Sequence, residues 1–378
     1  MKKHISLVLA AMLLLVFWLG ALPAGAASTA FTVLHYTLDP IEEGGESETG
    51  RVLNGMTLPR TPTITYDISV TELRVNGVLC TEDSVRLAMA GEYQLTVADR
   101  SNPATTAVYT VTVLPELNIS DEQEFTSYPT VVCSNAAKLV LDAGKLGGAQ
   151  EIRSGDRVTT LGMHTVQVFG VRSDGHIVSV QNCTFYIRAC TSERVFDEES
   201  GKQALRVTVG EFEDHTVEAT LDGTLLEAGS HIVTAVGHHS VTAKLDGEEV
   251  TNPHMLPSSE QLTLRVRLQI ESFELDEPIY LNLEQWDANF LLNGKEVTGN
   301  IRITKNGSHT LTVVDNEGNA ISGAFAVLVG DADAFEAVDS VTFQFKNPHH
   351  TYMPFVLIPV AATLAVALIF LLKRRRIV

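Results

Sequence analysis

Basic charge is scarce in this chain of 378 residues: 27 lysines and arginines stand against 46 aspartates and glutamates, a formal net charge of −19. Such an acidic surface argues against nucleic acid or anionic lipid as a partner. The signatures of several common chemistries are missing too. There is no nucleophile elbow, no Walker loop, no dinucleotide-binding glycine pattern and no HExxH helix. A carboxylate pair placed by the fold is the one hydrolytic arrangement that motifs alone do not exclude. Amphipathic helical periodicity is absent outside the two ends. Cysteine is sparse: Cys80, Cys133, Cys183 and Cys190 allow two disulfides at most, in three connectivities. Cys133, Cys183 and Cys190 share one region, so a bond within that trio is expected, with Cys80 left free.

The long hydrophobic runs lie at the ends. Residues 1–27 carry Lys2 and Lys3, an apolar stretch from Ile5 to Leu22, and Ala24-Gly25-Ala26. That is the layout of a secretory signal peptide. At the other end Phe355 to Leu372 is an uncharged run of 18 residues, followed by Lys373 and Arg374, Arg375 and Arg376. Its length suits a membrane-spanning helix, and the basic flank places the tail in the cytoplasm. The expected organisation is therefore a single-pass cell-membrane protein: transmembrane helix 353–372, cytoplasmic tail 373–378, and an extracellular part of about 325 residues. Asn347-Pro348-His349-His350-Thr351 is similar to an NPxTN wall-sorting signal, but its threonine stands one place late, so membrane retention is the expectation. Outside the two ends 21 basic residues face 46 acidic ones, a charge near −25.

Between the ends runs a repeat of low identity. Gly91-Glu92-Tyr93-Gln94-Leu95-Thr96-Val97 shares its pattern with Gly162–Val168, Gly237–Ala243 and Gly307–Val313. Each reads glycine, any residue, aromatic, polar, aliphatic, any residue, aliphatic. The glycines are 71, 75 and 70 residues apart. Ahead of three of them stands a tight-turn dipeptide, Asn76-Gly77, Asp222-Gly223 or Asn293-Gly294, which supplies the positive φ of a two-residue hairpin. The second repeat has the looser LDAGKLGGAQ in that place. Each repeat closes on another alternating strand: Val108–Val113, Cys183–Ile187, Leu262–Val266 and Phe325–Val329. Period-2 alternation rich in Val, Thr, Leu and Ile, with turn signals every 8–12 residues, predicts an all-β chain of small β-sandwiches in a row. The segments expected are a leader or edge strand at 28–51, repeats at 52–115, 116–191, 192–268 and 269–330, and a stalk at 331–352.

LLNGKEVTGNIRITKNGSHTLTVVDNEGN, in the fourth repeat, resembles bacterial immunoglobulin-like (Big-type) surface repeats, at Asn293-Gly294, Gly307, His309, Asp315, Gly318 and Asn319. The first repeat is similar but ends Asp99-Arg100-Ser101-Asn102, and the second and third lack the terminal Gly-Asn pair. The resemblance implies tandem immunoglobulin-like domains displayed on a bacterial surface and names no ligand.

The aromatic at the head of each repeated strand, Tyr93, His164, His239 or His309, is read as a structural corner. Immunoglobulin-type sandwiches carry a tyrosine near the start of one strand whose hydroxyl bonds back to the corner backbone, and imidazole can do the same. Metal readings are weaker. His238 and His239 are neighbours on a strand and point to opposite faces, so a site would need His231 or another distant ligand. His349-His350 reads as a solvated stretch beside the membrane. Asp331, Asp333 and Asp339 lack the ligand order and glycine of an EF-hand loop, and Asp121-Glu122 and Asp197-Glu198-Glu199 read as acidic linkers that calcium could also bridge. No cofactor is implied. Asn118-Ile119-Ser120, Asn182-Cys183-Thr184 and Asn306-Gly307-Ser308 match the glycosylation sequon, incidental in a bacterial chain.

The resulting expectation is a non-enzymatic surface protein that binds, adheres or acts as a spacer. Its partner would be an extracellular protein or glycan, with specificity in the irregular second repeat. The alternative is a subunit docking a neighbouring membrane protein; an envelope hydrolase ranks last.

Overall fold

A computed structural model describes residues 33–40, 45–143 and 148–346. The expected signal peptide, transmembrane helix and cytoplasmic tail lie outside these residues. Within them the chain is all-β, its one helical element a 3-10 turn at Pro253–Met255. No helix among the described residues is long and apolar enough to cross a membrane. The strands follow from the alternation: Gly91–Asp99 and Gly162–Val171 each bury every second residue. A period of two puts those side chains on one face of a sheet.

The chain divides into two compact units. One takes in residues up to Gln123 with Pro129–Thr159 and Met163–Phe185; the other takes in Glu124–Tyr128, Thr160–Gly162 and residues from Tyr186 onward.

In the first unit, His35–Leu38 pairs antiparallel with both Glu48–Arg51 and Pro62–Thr65, and Pro62–Thr65 with Ser84–Arg86. A second sheet pairs Gly91–Asp99 with Thr71–Val75 on one side and Thr106–Val113 on the other, and Met56–Leu58 runs parallel to the latter. Leu34 and Ile64 from the first sheet meet Leu73, Leu95, Val97 and Val111 from the second, a sandwich-like core. Each fully buried aliphatic side chain of that kind contributes roughly 1.5–3 kcal/mol by transfer from water. The expected leader at 28–51 thus supplies two paired strands. Sequence-adjacent repeats also join here, because Gly91 pairs parallel with Val171. A Cβ on Gly91 would stand 2.0 Å from the Val171 carbonyl oxygen, and one on Gly170 would stand 2.1 Å from that of Ala90. Neither position admits a side chain.

In the second unit, Cys190–Asp197, Lys202–Val209 and Gly229–Val233 form one antiparallel sheet. Val217–Leu221 pairs with Thr224–Leu226 and Val241–Leu245 in another. A small core of Ala189, Cys190, Val209, Ala219 and Ala243 lies among these strands. A larger core holds Trp286, Phe290, Leu311, Val313, Phe325 and Phe343, and Leu205 and Val236 from the preceding repeat also reach into it. Val266–Ile270 crosses the expected 268/269 boundary and pairs parallel with Phe325–Val329. Within the stretch read as a stalk, Ser340–Phe345 is a strand paired along Gly307–Val314.

Candidate functional site

The repeated glycine and the tight-turn residue meet in space, and together they build one local arrangement several times. Gly91, Gly162, Gly237 and Gly307 have φ of 126°, 113°, 146° and 124°, a backbone region that side chains disfavour. At the turn, Asn76, Asp142, Asp222 and Asn293 have φ of 48°, 53°, 49° and 53°. Asn and Asp are the non-glycine residues that tolerate this left-handed conformation best. In the loose second repeat Asp142 takes the position that the dipeptides hold elsewhere.

From that conformation the Asx residue clamps the residue after the aromatic. The N–H of Asn76 donates to the carbonyl of Gln94 at 2.8 Å, and Gln94 N–H donates back to Asn76 Oδ1 at 2.8 Å. Asp142 exchanges the same bonds with Thr165 at 2.7 and 3.1 Å. Asp222 does so with Ser240 at 2.9 and 2.8 Å, and Asn293 with Thr310 at 2.8 and 2.8 Å. A fifth clamp, which the repeat pattern did not announce, joins Asp246 of an Asp-Gly turn to Thr216 at 2.9 and 2.8 Å.

The aromatic completes the arrangement. Tyr93 hydroxyl donates to the Met89 carbonyl at 2.8 Å and accepts from Met89 N–H at 3.1 Å. His239 Nε2 donates to the Ala235 carbonyl at 2.9 Å, and His309 Nε2 to the Lys305 carbonyl at 2.6 Å. All three bonds reach four residues back. His231 makes the same bond to Glu227 at 2.7 Å, two residues after Gly229 with φ of 113°. Its sequence signal was Gly-x-His, obscured because Ile232 breaks the polar-then-aliphatic order.

The other ring nitrogen turns to the clamp. Nδ1 of His164, His239 and His215 lies 3.0, 2.7 and 2.7 Å from Oδ2 of Asp142, Asp222 and Asp246. His309 Nδ1 instead faces the amide of Asn293, at 3.4 Å. His164 is buried and its ring lies 5.4 Å from that of Phe185. Burial pushes the Asp222 carboxyl up, but bonds from His239 and Ser240 outweigh it and hold the group below the usual carboxylate range. Bonds from Thr216 N–H and His215 lower that of Asp246.

The expected disulfide among Cys133, Cys183 and Cys190 is corrected: all four cysteines are free thiols. Each buried sulfur has its own surroundings in place of another sulfur. Cys133 Sγ lies 3.6 Å from Asn135 Oδ1, Cys183 Sγ lies 3.3 Å from the Ile119 carbonyl, and Cys190 packs among alanines and Val209. Burial pushes the Cys183 thiol up to about 11, with Asp121 and Glu122 adding to the effect, and that of Cys190 up to about 12.

No group of three His, Cys, Asp or Glu among the described residues is arranged to hold a metal ion. His238 and His239 diverge: His238 Nδ1 meets Thr263 Oγ1 at 3.2 Å while His239 faces Asp222 and Ala235. Three of the acidic residues weighed for calcium accept hydrogen bonds from backbone N–H groups. Asp121 accepts from Thr184 N–H at 2.7 Å, Asp197 from Ser200 N–H at 3.1 Å, and Asp339 from Gly323 N–H at 2.7 Å. His349 and His350 lie outside the described residues.

The fold and its clamps define an all-β protein of sequence-divergent repeats, each pinned at a shared corner. No family model and no curated protein matches the chain. Among solved structures it is similar to that of the Bacteroides ovatus mixed-linkage glucan utilization locus SGBP-B in complex with mixed-linkage heptasaccharide. That alignment has 11% identity and a TM-score of 0.17, and covers 79% of this chain and 67% of that one. A likeness at that score carries no argument about fold or ligand.

Proposed function

We propose that this is a non-enzymatic, membrane-anchored bacterial surface protein whose immunoglobulin-like repeats bind an external protein or glycan or hold a binding repeat away from the membrane. The observation that carries the reading is the use of the repeated polar residues. The rings of Tyr93, His239 and His309 bond the backbone four residues back, and the Asx side chains bond the facing strand. Residues tied into the fold in this way serve the shape of each repeat, and a tandem array of such repeats is suited to display. Free, buried thiols fit the same reading, since raised pKa values and burial leave Cys183 and Cys190 poor nucleophiles.

The test is a deletion of residues 33–185 in cells expressing the otherwise full chain. The deleted protein should stay in the membrane fraction and lose capture of external material in cross-linking. Unchanged capture would place binding elsewhere. Cross-links confined to membrane neighbours would replace the reading with that of a complex subunit.

A further inference from the structure

We infer that Arg60 and Arg86 in the first compact unit form a binding site for a carboxylate group. They line a cavity of about 400 Å³ with Asp39, Glu116 and the rings of Pro40 and Pro59. Arg60 Nε is enclosed from solvent and has no hydrogen-bond partner. Folded proteins rarely leave such a donor unmade, and an absent ligand is one of the few reasons they do. Arg60 makes no ion pair either among the described residues.

The acids beside it are already engaged. Asp39 Oδ2 lies 3.4 Å from Arg86 Nη1. Glu116 Oε1 accepts from Thr61 N–H at 2.7 Å and faces Asn135 Nδ2 at 3.5 Å, and its Oε2 accepts from the Ser134 hydroxyl. Burial pushes the Glu116 carboxyl up, but those bonds and the charge of Arg86 hold it below the usual range. Both carboxylates therefore already have partners, while Arg60 Nε has none.

Two parallel N–H donors of a guanidinium match the two oxygens of a carboxylate. A monoanion suits the place better than a phosphate dianion, because Asp39 and Glu116 stand close by and repel the second charge. The two proline rings give apolar walls, and the volume falls in the range of small-molecule sites, enough for a body of monosaccharide or amino-acid size. The site stands independently of the surface-protein reading.

The experiment titrates the purified full chain with acetate, glucuronate, N-acetylalanine and inorganic phosphate at constant ionic strength. It follows the Nε–H resonance of Arg60 by NMR and the heat of binding. Acetate should shift that resonance at millimolar concentration, and whichever of glucuronate or N-acetylalanine binds more tightly identifies the source of the carboxylate. Arg60→Gln should weaken binding at least tenfold. Arg60→Lys, which keeps the charge and loses the fork, should weaken it nearly as much, and Arg86→Gln should weaken it less. If Arg60→Gln unfolds the unit, the wild-type Nε–H shift and Arg86→Gln decide. No shift with any carboxylate, phosphate binding as tight as acetate, or full affinity in Arg60→Lys would each overturn the inference.

Discussion

Replacing Asp222 tests the clamp most directly, because three substitutions separate its contributions. Asp222→Ala removes the acceptor of Ser240 N–H and the partner of His239 Nδ1, and puts a Cβ-bearing residue with no local hydrogen bond at φ of 49°. Each lost bond is worth about 0.5–1.5 kcal/mol net, and here the lower half applies, because the Asp222 side chain is 49% exposed. Left-handed backbone without glycine, Asn or Asp adds about 1–2 kcal/mol. The sum is about 2–4 kcal/mol. Asp222→Gly removes the bonds without the backbone strain, so about 1–2 kcal/mol is expected, plus a small entropic penalty from the freer unfolded chain. Asp222→Asn keeps Oδ1 for Ser240 and offers the ring an amide, the arrangement Asn293 already makes with His309. It should destabilise by about 1 kcal/mol or less.

Urea unfolding at pH 7 reads the order directly. In calorimetry the alanine variant should lower the melting temperature by roughly 5–10 °C for a unit of this size. An alanine variant no worse than asparagine would refute the clamp, and a glycine variant as poor as alanine would refute the backbone part. The pH dependence has a definite sign. Asp222 has a depressed carboxyl pKa, so its stabilisation is fully present above the ordinary carboxylate value near 4 and is lost as pH falls through the lower folded value. The gap between wild type and Asp222→Ala should therefore narrow below about pH 4, toward the backbone part, which does not titrate.

Four further outcomes are expected. Gly91→Ala should cost about 3 kcal/mol or more, since its Cβ would meet the Val171 carbonyl. Gly307→Ala at a similar φ, with open space around it, should cost about 1–2 kcal/mol in the same denaturation assay. Without reductant, mass spectrometry should count four alkylated cysteines in denaturant; in the native protein Cys80 should react first and Cys183 and Cys190 last, and a persistent disulfide would show as a missing pair. The carboxyls of Asp99, Asp246 and Asp315 are lowered by hydrogen bonds from Ser101, Thr216 and Asn319 respectively. Overall unfolding free energy should thus decline as pH drops below about 4, and a flat profile between pH 5 and 2 would contradict those bonds.

Much of this was legible in the chain, in a particular way. Gly91, Gly162, Gly237 and Gly307 could be found by spacing because a positive φ leaves few substitutes, so the letter persists while its neighbours drift. The Asn-Gly and Asp-Gly dipeptides were legible as turns for the same reason. Their second task was not, because the bonds between Asn76 and Gln94 or Asn293 and Thr310 join residues 17 or 18 apart that only the hairpin register brings together. Asp142 escaped notice because no glycine follows it, although its backbone does what the dipeptides do. The close approach of Gly91 to Val171 was beyond reach, since one parallel pair between sequence-adjacent repeats leaves no periodic trace. The disulfide expectation failed because shared sequence region and oxidising surroundings only allow a bond, while packing gives each buried sulfur other neighbours.

The clamps also explain why identity between the repeats is so low. What each corner needs is an acceptor at Oδ1, a left-handed turn and a ring that reaches four residues back. Asn or Asp, and Tyr or His, satisfy those needs interchangeably. The hairpin arm beyond the clamp has no such duty. After Asn76-Gly77 it presents Val78 and Leu79, 71% and 43% exposed; after Asp222-Gly223 it presents Leu225, 70% exposed; after Asn293-Gly294 it presents Lys295 and Glu296. Apolar and charged residues follow the same turn at the same register, because the arm pairs through its backbone and the Asx side chain holds the turn to the strand it faces. Divergence between repeats is therefore tolerated in these arms, where the corner makes no demand on the side chains.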